Sequence, residues 1–293
     1  LKDMKKFIAI NLLTIGLLIG TSVSNVGELY AATTQEVSLT LSNKGTYYGE
    51  VQNGKPHGKG TATWGEYKTY TGEWRYGKRS GQGKLVTTVP DINQVIYEGT
   101  WANDKQNGQG TLREYSKFNE YSKEYDRATA QQGSFKNGKA VSGYTVIRDY
   151  TLDSEVAFRY MTNDVIVAFS LSDANDLNAP LKSENMSLFA FVDLKKGSGF
   201  LMQYNNNSQH MYQYGTYKKN LSGETNLFNG TIELFNWHYD EISIASVQKS
   251  KIASYKVVPT SEELHKYRES IIKKKLNLLD PYMSNFKKIY NQL

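Results

Sequence analysis

What most constrains this chain is a short phrase of residues written four times between Tyr47 and Thr145. The first copy reads Tyr47-Tyr48-Gly49-Glu50-Val51, then Asn53-Gly54-Lys55, then Gly58-Lys59-Gly60-Thr61. The second runs Tyr70-Thr71-Gly72-Glu73-Trp74, Gly77-Lys78 and Gly81-Gln82-Gly83-Lys84. Tyr97-Glu98-Gly99-Thr100-Trp101, Asn103-Asp104-Lys105 and Gly108-Gln109-Gly110-Thr111 make the third. A worn fourth keeps Gln132-Gly133-Ser134-Phe135, Asn137-Gly138-Lys139 and Gly143. Self-similarity of this kind dictates an array of small supersecondary units before any finer assignment is made.

Each copy reads as a β-hairpin. Side chains alternate along a strand, so Tyr70, Gly72 and Trp74 share one face while Thr71, Glu73 and Arg75 share the other. The Asn-Gly pairs at 53–54 and 137–138 supply the positive φ of a two-residue hairpin turn. In the returning strand, both glycines of Gly-x-Gly leave slots in which a neighbouring ring can lie close to the backbone. One hairpin cannot bury its own aromatic face, and stacking the copies solves that problem.

These residues resemble the MORN repeat (membrane occupation and recognition nexus), whose pattern is Tyr-x-Gly-x-Trp, a Gly-Lys turn and Gly-x-Gly. The departures are Val51 for the strand aromatic, Asp104 for the turn glycine, and a fourth copy without its leading Tyr and double glycine. They predict a strained or reshaped turn at Asp104 and a terminal, capping fourth repeat. The resemblance implies an elongated, twisted, single-layer antiparallel sheet and a non-catalytic role in contacts with proteins or membranes. It names no ligand.

The rest of the chain frames this array. Residues 1–32 read as an export signal: Lys5 and Lys6, an apolar run from Phe7 to Ile19, then small residues ending at Ala31 and Ala32 before Thr33. That run is short for a membrane span, which takes about 20 residues; the alternative is a retained anchor. The expected location is therefore secreted or cell envelope. With no cysteine among 293 residues, disulfides, thiol catalysis and thiolate metal sites are excluded. Glu36–Leu41 is expected as a first edge strand, and 33–150 as the repeat sheet. The inserted stretch 114–131, rich in Tyr, Lys and Glu, is either a pair of longer strands or a short helix.

Residues 151–259 stay β in pattern, with strands expected over Val156–Tyr160, Val165–Leu171, Leu188–Leu194 and Gly199–Tyr204. They are either decayed copies continuing the same sheet or hairpins of a separate β domain; Tyr214-Gly215-Thr216 and Asn229-Gly230-Thr231 echo the repeat. From 260 to 293 the period becomes helical. Thr260-Ser261-Glu262-Glu263 starts one helix, and Asp280-Pro281 starts a second with Asp as N-cap. The fold class expected is mainly β, with a C-terminal helical hairpin lying as a lid over the aromatic face of the sheet.

Candidate chemistry is sparse. His57, His210, His238 and His265 are scattered without metal-ligand spacing; His238 stands beside Asp240 and Glu241, a solvated strand end rather than a catalytic base. No Gly-x-Gly opens a helix as a phosphate cradle must, so nucleotides are not expected. No cofactor, metal or nucleic-acid partner is expected either. Two surfaces stand out. Tyr70, Trp74, Tyr97 and Trp101 are either core rings or an aromatic groove that grips a ligand. Lys266, Lys273 and Lys274 belong to a basic cluster on the first helix, Lys266 and Lys273 opposite its apolar arc, as a solvated face or as contacts to anionic lipid. Lys275 and Arg268 instead fall inside the apolar arc, where their stems can snorkel. The reading reached is an exported, non-enzymatic interaction or scaffold protein whose partner is a protein or cell-envelope component. The alternatives are a peripheral membrane-surface binder and, third, an enzyme with its site in 151–259.

Overall fold

The computed structural model describes residues 36–90, 93–119, 124–149, 155–171, 177, 186–205, 209–219, 226–236 and 241–293. The expected export signal and the segment around His238 lie outside these residues. The chain forms one 17-stranded antiparallel sheet. Its first strands are β1 (Glu36–Thr40), β2 (Thr46–Gln52), β3 (Lys55–Trp64), β4 (Lys68–Arg75), β5 (Lys78–Val89) and β6 (Asn93–Ala102). Then come β7 (Lys105–Asn119), β8 (Glu124–Lys136), β9 (Lys139–Asp149), β10 (Glu155–Met161), β11 (Val165–Leu171) and β12 (Met186–Asp193). The last are β13 (Ser198–Asn205), β14 (Gln209–Lys219), β15 (Asn226–Asn236), β16 (Glu241–Gln248) and β17 (Lys251–Pro259). Every strand pairs with its successor, so the sheet is an open up-and-down meander.

The expected strands are all present, Glu36–Leu41 at the sheet's edge included. Of the two readings for 114–131, paired strands hold: β7 and β8 run on together through the insertion, with Tyr115 opposite Ala128. Residues 155–259 continue the same sheet, because β10 pairs along β9 from Met161↔Gly143 to Glu155↔Asp149. This pairing corrects the expected capping role of the fourth repeat. Its hairpin is an interior joint, since both edges of β9 are taken.

The repeat hairpins turn through Asn53-Gly54, Tyr76-Gly77, Asn103-Asp104 and Asn137-Gly138, each with positive φ at both residues. That is the turn whose twist suits a hairpin. Successive turns are bonded to the hairpin before them: Gly77 N–H donates to the Pro56 carbonyl, Asp104 to Arg79 and Gly138 to Gln106, at 2.8–3.1 Å.

Registry carries one row of glycines straight across β2 to β9: Gly49, Gly60, Gly72, Gly83, Gly99, Gly110, Gly133 and Gly143. Three positions along the same registers the core changes face. Ala130, Val146, Phe158, Phe169, Phe189, Met202, Tyr212 and Glu233 also stand in one row, from β8 to β15. Ala130 is an odd number of residues from Gly133, so this apolar row points away from the glycine-aromatic face. The chain thus has two cores on opposite sides of one sheet. Tyr47, Ala62, Tyr70, Trp74, Tyr97, Trp101 and Phe135 form the first; the long row and the helices form the second.

The C-terminal helical hairpin is α1 (Glu262–Leu276), a 3-10 turn at Asn277–Leu279 and α2 (Asp280–Tyr290). α1 begins where expected, but the Ser261 hydroxyl caps it by accepting the Leu264 N–H at 3.2 Å, one residue past the Thr260–Glu263 capping box. Asp280 is not the N-cap predicted for α2: it is itself helical, and its N–H is already satisfied by the Asn277 carbonyl across the 3-10 turn. Buried Ile272, Leu276, Leu279, Phe286 and Ile289 pack on the second core. Phe286 meets Tyr144, Phe158 and Phe169 at ring distances of 5.1, 5.4 and 5.4 Å. The expectation that this hairpin covers the Trp74–Trp101 face is therefore wrong, because those rings lie on the other side of the sheet.

Candidate functional site

The aromatic phrase is explained by a bonding pattern that recurs in the first three repeats. The hydroxyls of Tyr47, Tyr70 and Tyr97 donate to the carbonyls of Glu50, Glu73 and Thr100, three residues on. To reach them, each ring lies flat along the strand over glycine; a Cβ at Gly60 would stand inside the Tyr47 ring. The indole N–H of Trp74 donates to the Gly60 carbonyl at 3.1 Å, and that of Trp101 to Gly83 at 3.0 Å. The rings then interlock edge to face in the order Tyr47, Trp74, Tyr70, Trp101, Tyr97, Phe135, with centroids 5.1–5.3 Å apart. Such aromatic pairs add to the burial itself, by about 0.5–1.5 kcal/mol each.

Tyr70 and Tyr97 are 0% exposed, Trp74 4% and Trp101 3%. Their ring faces are occupied by one another, so among the described residues these four rings are part of the core. Burial pushes the Tyr47 hydroxyl up to about 12 and raises Tyr70 and Tyr97 as well. The rings therefore remain neutral donors.

Sequence reasoning missed the role of the carboxylates beside these rings. Glu50 accepts the Lys59 N–H and Glu73 the Gln82 N–H, both at 2.9 Å. Each bond spans a β-bulge in its hairpin, which pulls one backbone N–H out of the ladder. The signal was the Gly-Glu pair in the first two copies. Asp104 holds a different place. Its side chain accepts from Arg79 N–H at 3.0 Å and Nε at 3.1 Å, while Arg79 Nη2 reaches the Asp104 carbonyl at 2.9 Å. The guanidinium also stacks 4.4 Å over Trp101. The lost turn glycine has become a clamp between neighbouring hairpins.

The open surface of the repeats is the other face. Tyr48, Lys59, Thr61, Thr71, Glu73 and Gln82 line a shallow trough of about 430 Å³ on it. Cross-strand pairs tie it together: Thr61 with Thr71 at 3.0 Å, Gln82 with Thr100 at 3.0 Å and Gln109 with Ser134 at 2.8 Å. Exposed Lys59, Lys84, Glu73 and Glu98 give it charges of both signs. The family model for the MORN repeat matches residues 47–68, 70–87 and 97–113. Residues 47–113 are MORN repeats. No curated protein matches the chain. MORN repeats generally serve as binding and scaffold modules, and the match stops before the fourth hairpin, whose Phe135 nonetheless ends the aromatic stack.

Beyond the MORN segment, Lys266, Lys273 and Lys274 are exposed on α1, and Lys266 pairs with Glu262 at 2.6 Å. Lys275 is half-buried near the Phe200 ring, and Arg268 is buried against Glu233 at 2.8 Å. The structure thus brings Arg268 and Lys275 to the sheet and leaves the other three outside. Among the described residues, no three His, Asp or Glu side chains gather as a metal-ligand group, and no helix is long and apolar enough to cross a membrane.

Proposed function

We propose that this chain is an exported, non-enzymatic scaffold that holds a protein or cell-envelope partner on the polar face of its MORN repeats. One observation carries the reading: the aromatic face is closed by its own rings, while the opposite face presents a bonded, regularly spaced polar ladder in solvent. Side chains fixed by cross-strand bonds lose little further freedom on binding, which favours recognition by a rigid surface. Charges of both signs suit a protein or polar polymer rather than a uniformly anionic membrane.

A second reading follows from α1. Exposed Lys266, Lys273 and Lys274 offer an anionic lipid surface about 1 kcal/mol per residue at contact. Capture from the protein's own cell envelope separates the two. With Lys59→Gln and Lys84→Gln together, partner capture is expected to fall at least tenfold with the melting temperature nearly unchanged. Undiminished capture would remove the polar face as the binding surface. Loss of pelleting with anionic vesicles in a Lys273→Glu, Lys274→Glu variant would favour the lipid reading. Export predicts an N-terminus near Thr33 in protein recovered outside the cytoplasm, and protein found only inside it would refute that part.

A further inference from the structure

β17 ends the meander, and among the described residues only β16 pairs with it. Every residue from Lys251 to Val257 is exposed, on both sides of the strand. Large apolar side chains stand out there: Ile252 is 69% exposed, Tyr255 62% and Val257 46%. β1, at the other end of the sheet, has 5 residues against 9, and its Leu39 packs on the first core. The outer edge of β17 is therefore the longer and the more apolar of the two. Its unpaired N–H and C=O groups make it a template for one more strand.

A β-bulge gathers those apolar side chains on one side. Tyr255 and Val257 stand opposite Ala245 and Ser243, turned away from Ile242 and Ile244, which belong to the second core. Ala253 has no partner on β16, and the shift brings Ile252 opposite Val247. Val247 continues the row Gly143, Met161, Ile166, Val192, Gly199, Gly215 and Gly230, which began with the MORN glycines. Ile252, Tyr255 and Val257 therefore form one stripe on the glycine side. Lys251, Ser254 and Lys256 take the opposite side.

We propose that this edge pairs with β17 of a second copy of the chain, across a two-fold axis at Tyr255. Strand direction and charge both select that occupant. Direction alternates through all 17 strands, so β1 and β17 run the same way. Joining β17 to β1 of another copy with matching sides would thus need a parallel pair. A two-fold axis normal to the sheet instead extends the antiparallel ladder and keeps the apolar stripes on one side. Tyr255 is the middle residue of Lys251–Pro259, so an axis there overlaps the whole strand. It sets Tyr255 against its counterpart, Val257 against Ala253 and Lys256 against Ser254, with Lys251 at the far end of the pair. An axis at Lys256 would oppose that lysine with itself, which is destabilising. The interface is a small one, so a weak, concentration-dependent dimer is expected. It is independent of any partner held on the MORN face.

Sedimentation equilibrium of the full chain should show twice the mass of one chain at high concentration and approach a single chain on dilution. Tyr255→Lys sets two like charges against each other at the axis. Because that side chain is exposed, the variant should stay monomeric with the circular dichroism of the parent. The chain has no cysteine, so Tyr255→Cys gives each copy one thiol, at the axis. Mild oxidation should link it into dimers at least tenfold faster than Tyr76→Cys, whose position is 60% exposed at the turn between β4 and β5. A parent that stays monomeric would leave the edge to a strand of some other protein and overturn the proposal. A dimer that survives Tyr255→Lys, or linkage as fast through residue 76 as through 255, would place the contact elsewhere and overturn it equally.

Discussion

The MORN hairpins and the strands that follow them belong to one sheet, yet they bury their aromatic residues in opposite ways. From β2 to β8 the large rings lie flat over glycines and interlock with each other, so one layer of strands makes its own core. From β10 to β14 one row reads Phe158, Phe169, Phe189, Met202 and Tyr212, standing on neighbours that are themselves large. Upright side chains of that size need a second layer, and Phe286, Ile289 and Leu279 of the helical hairpin provide it. Glycine content decides which solution is available. Rings lie down where a row lacks Cβ atoms and stand up where it does not.

Removing residues 260–293 tests this contrast with the largest effect. Truncating Phe286 alone to alanine should cost about 3–5 kcal/mol, and the deletion more. Hydrogen exchange should then show β10–β16 losing protection, with a hydrophobic dye binding, while β2–β6 stay protected. Equal loss in both regions would mean that the repeats lean on the lid after all.

Gly72→Val attacks the other solution. Its Cβ would collide with the Gly83 Cα and the Gln82 carbonyl, backbone atoms that cannot swing aside. Overpacking of this kind costs about 1–3 kcal/mol, and the upper end is expected here. A melting temperature equal to that of the parent would show that the glycine row is dispensable.

Alkaline pH should strain both regions together. Burial raises the folded-state hydroxyls of Tyr47 and Tyr212 to about 12, one in each core. In the unfolded chain tyrosine releases its proton near pH 10. Between those values the folded state binds more protons than the unfolded one. Their contribution is therefore fully present below about pH 10 and falls as pH rises. Tyrosinate absorbance and melting temperature, followed from neutrality upward, should change together above that point; ionisation of these rings without loss of structure would contradict their burial.

Asp104→Asn is the smallest and most local test. Asparagine keeps the tolerance for positive φ at the turn but removes the charge facing Arg79. The pair is partly exposed, at 17% and 45% for the two side chains, so a loss of about 0.5–1 kcal/mol is expected. No change in chemical denaturation would reduce the clamp to a crystal-like ornament of geometry, with the turn itself carrying the contact.

The local elements were legible in the sequence because their causes are local. Alternation, two-residue turns (Asn-Gly at 53–54) and Gly-x-Gly slots set the hairpins of 47–113 locally, and Ser261 with its following acidic pair marks where α1 begins. The wheel position of Arg268 placed its stem in the apolar arc but left its charge in water, as a snorkelling residue. Tertiary structure alone decided what that cation meets, since Glu233 lies 35 residues away on a strand whose register no local pattern sets. The reversal of faces between the two cores was equally hidden. It follows from the pairing of Gly133 with Gly143 and of Val146 with Phe158 across three strands, and a shift of one residue would have put Phe158 on the repeat side. Which side of the sheet the helices cover is a property of that register, and register is settled only when the strands meet.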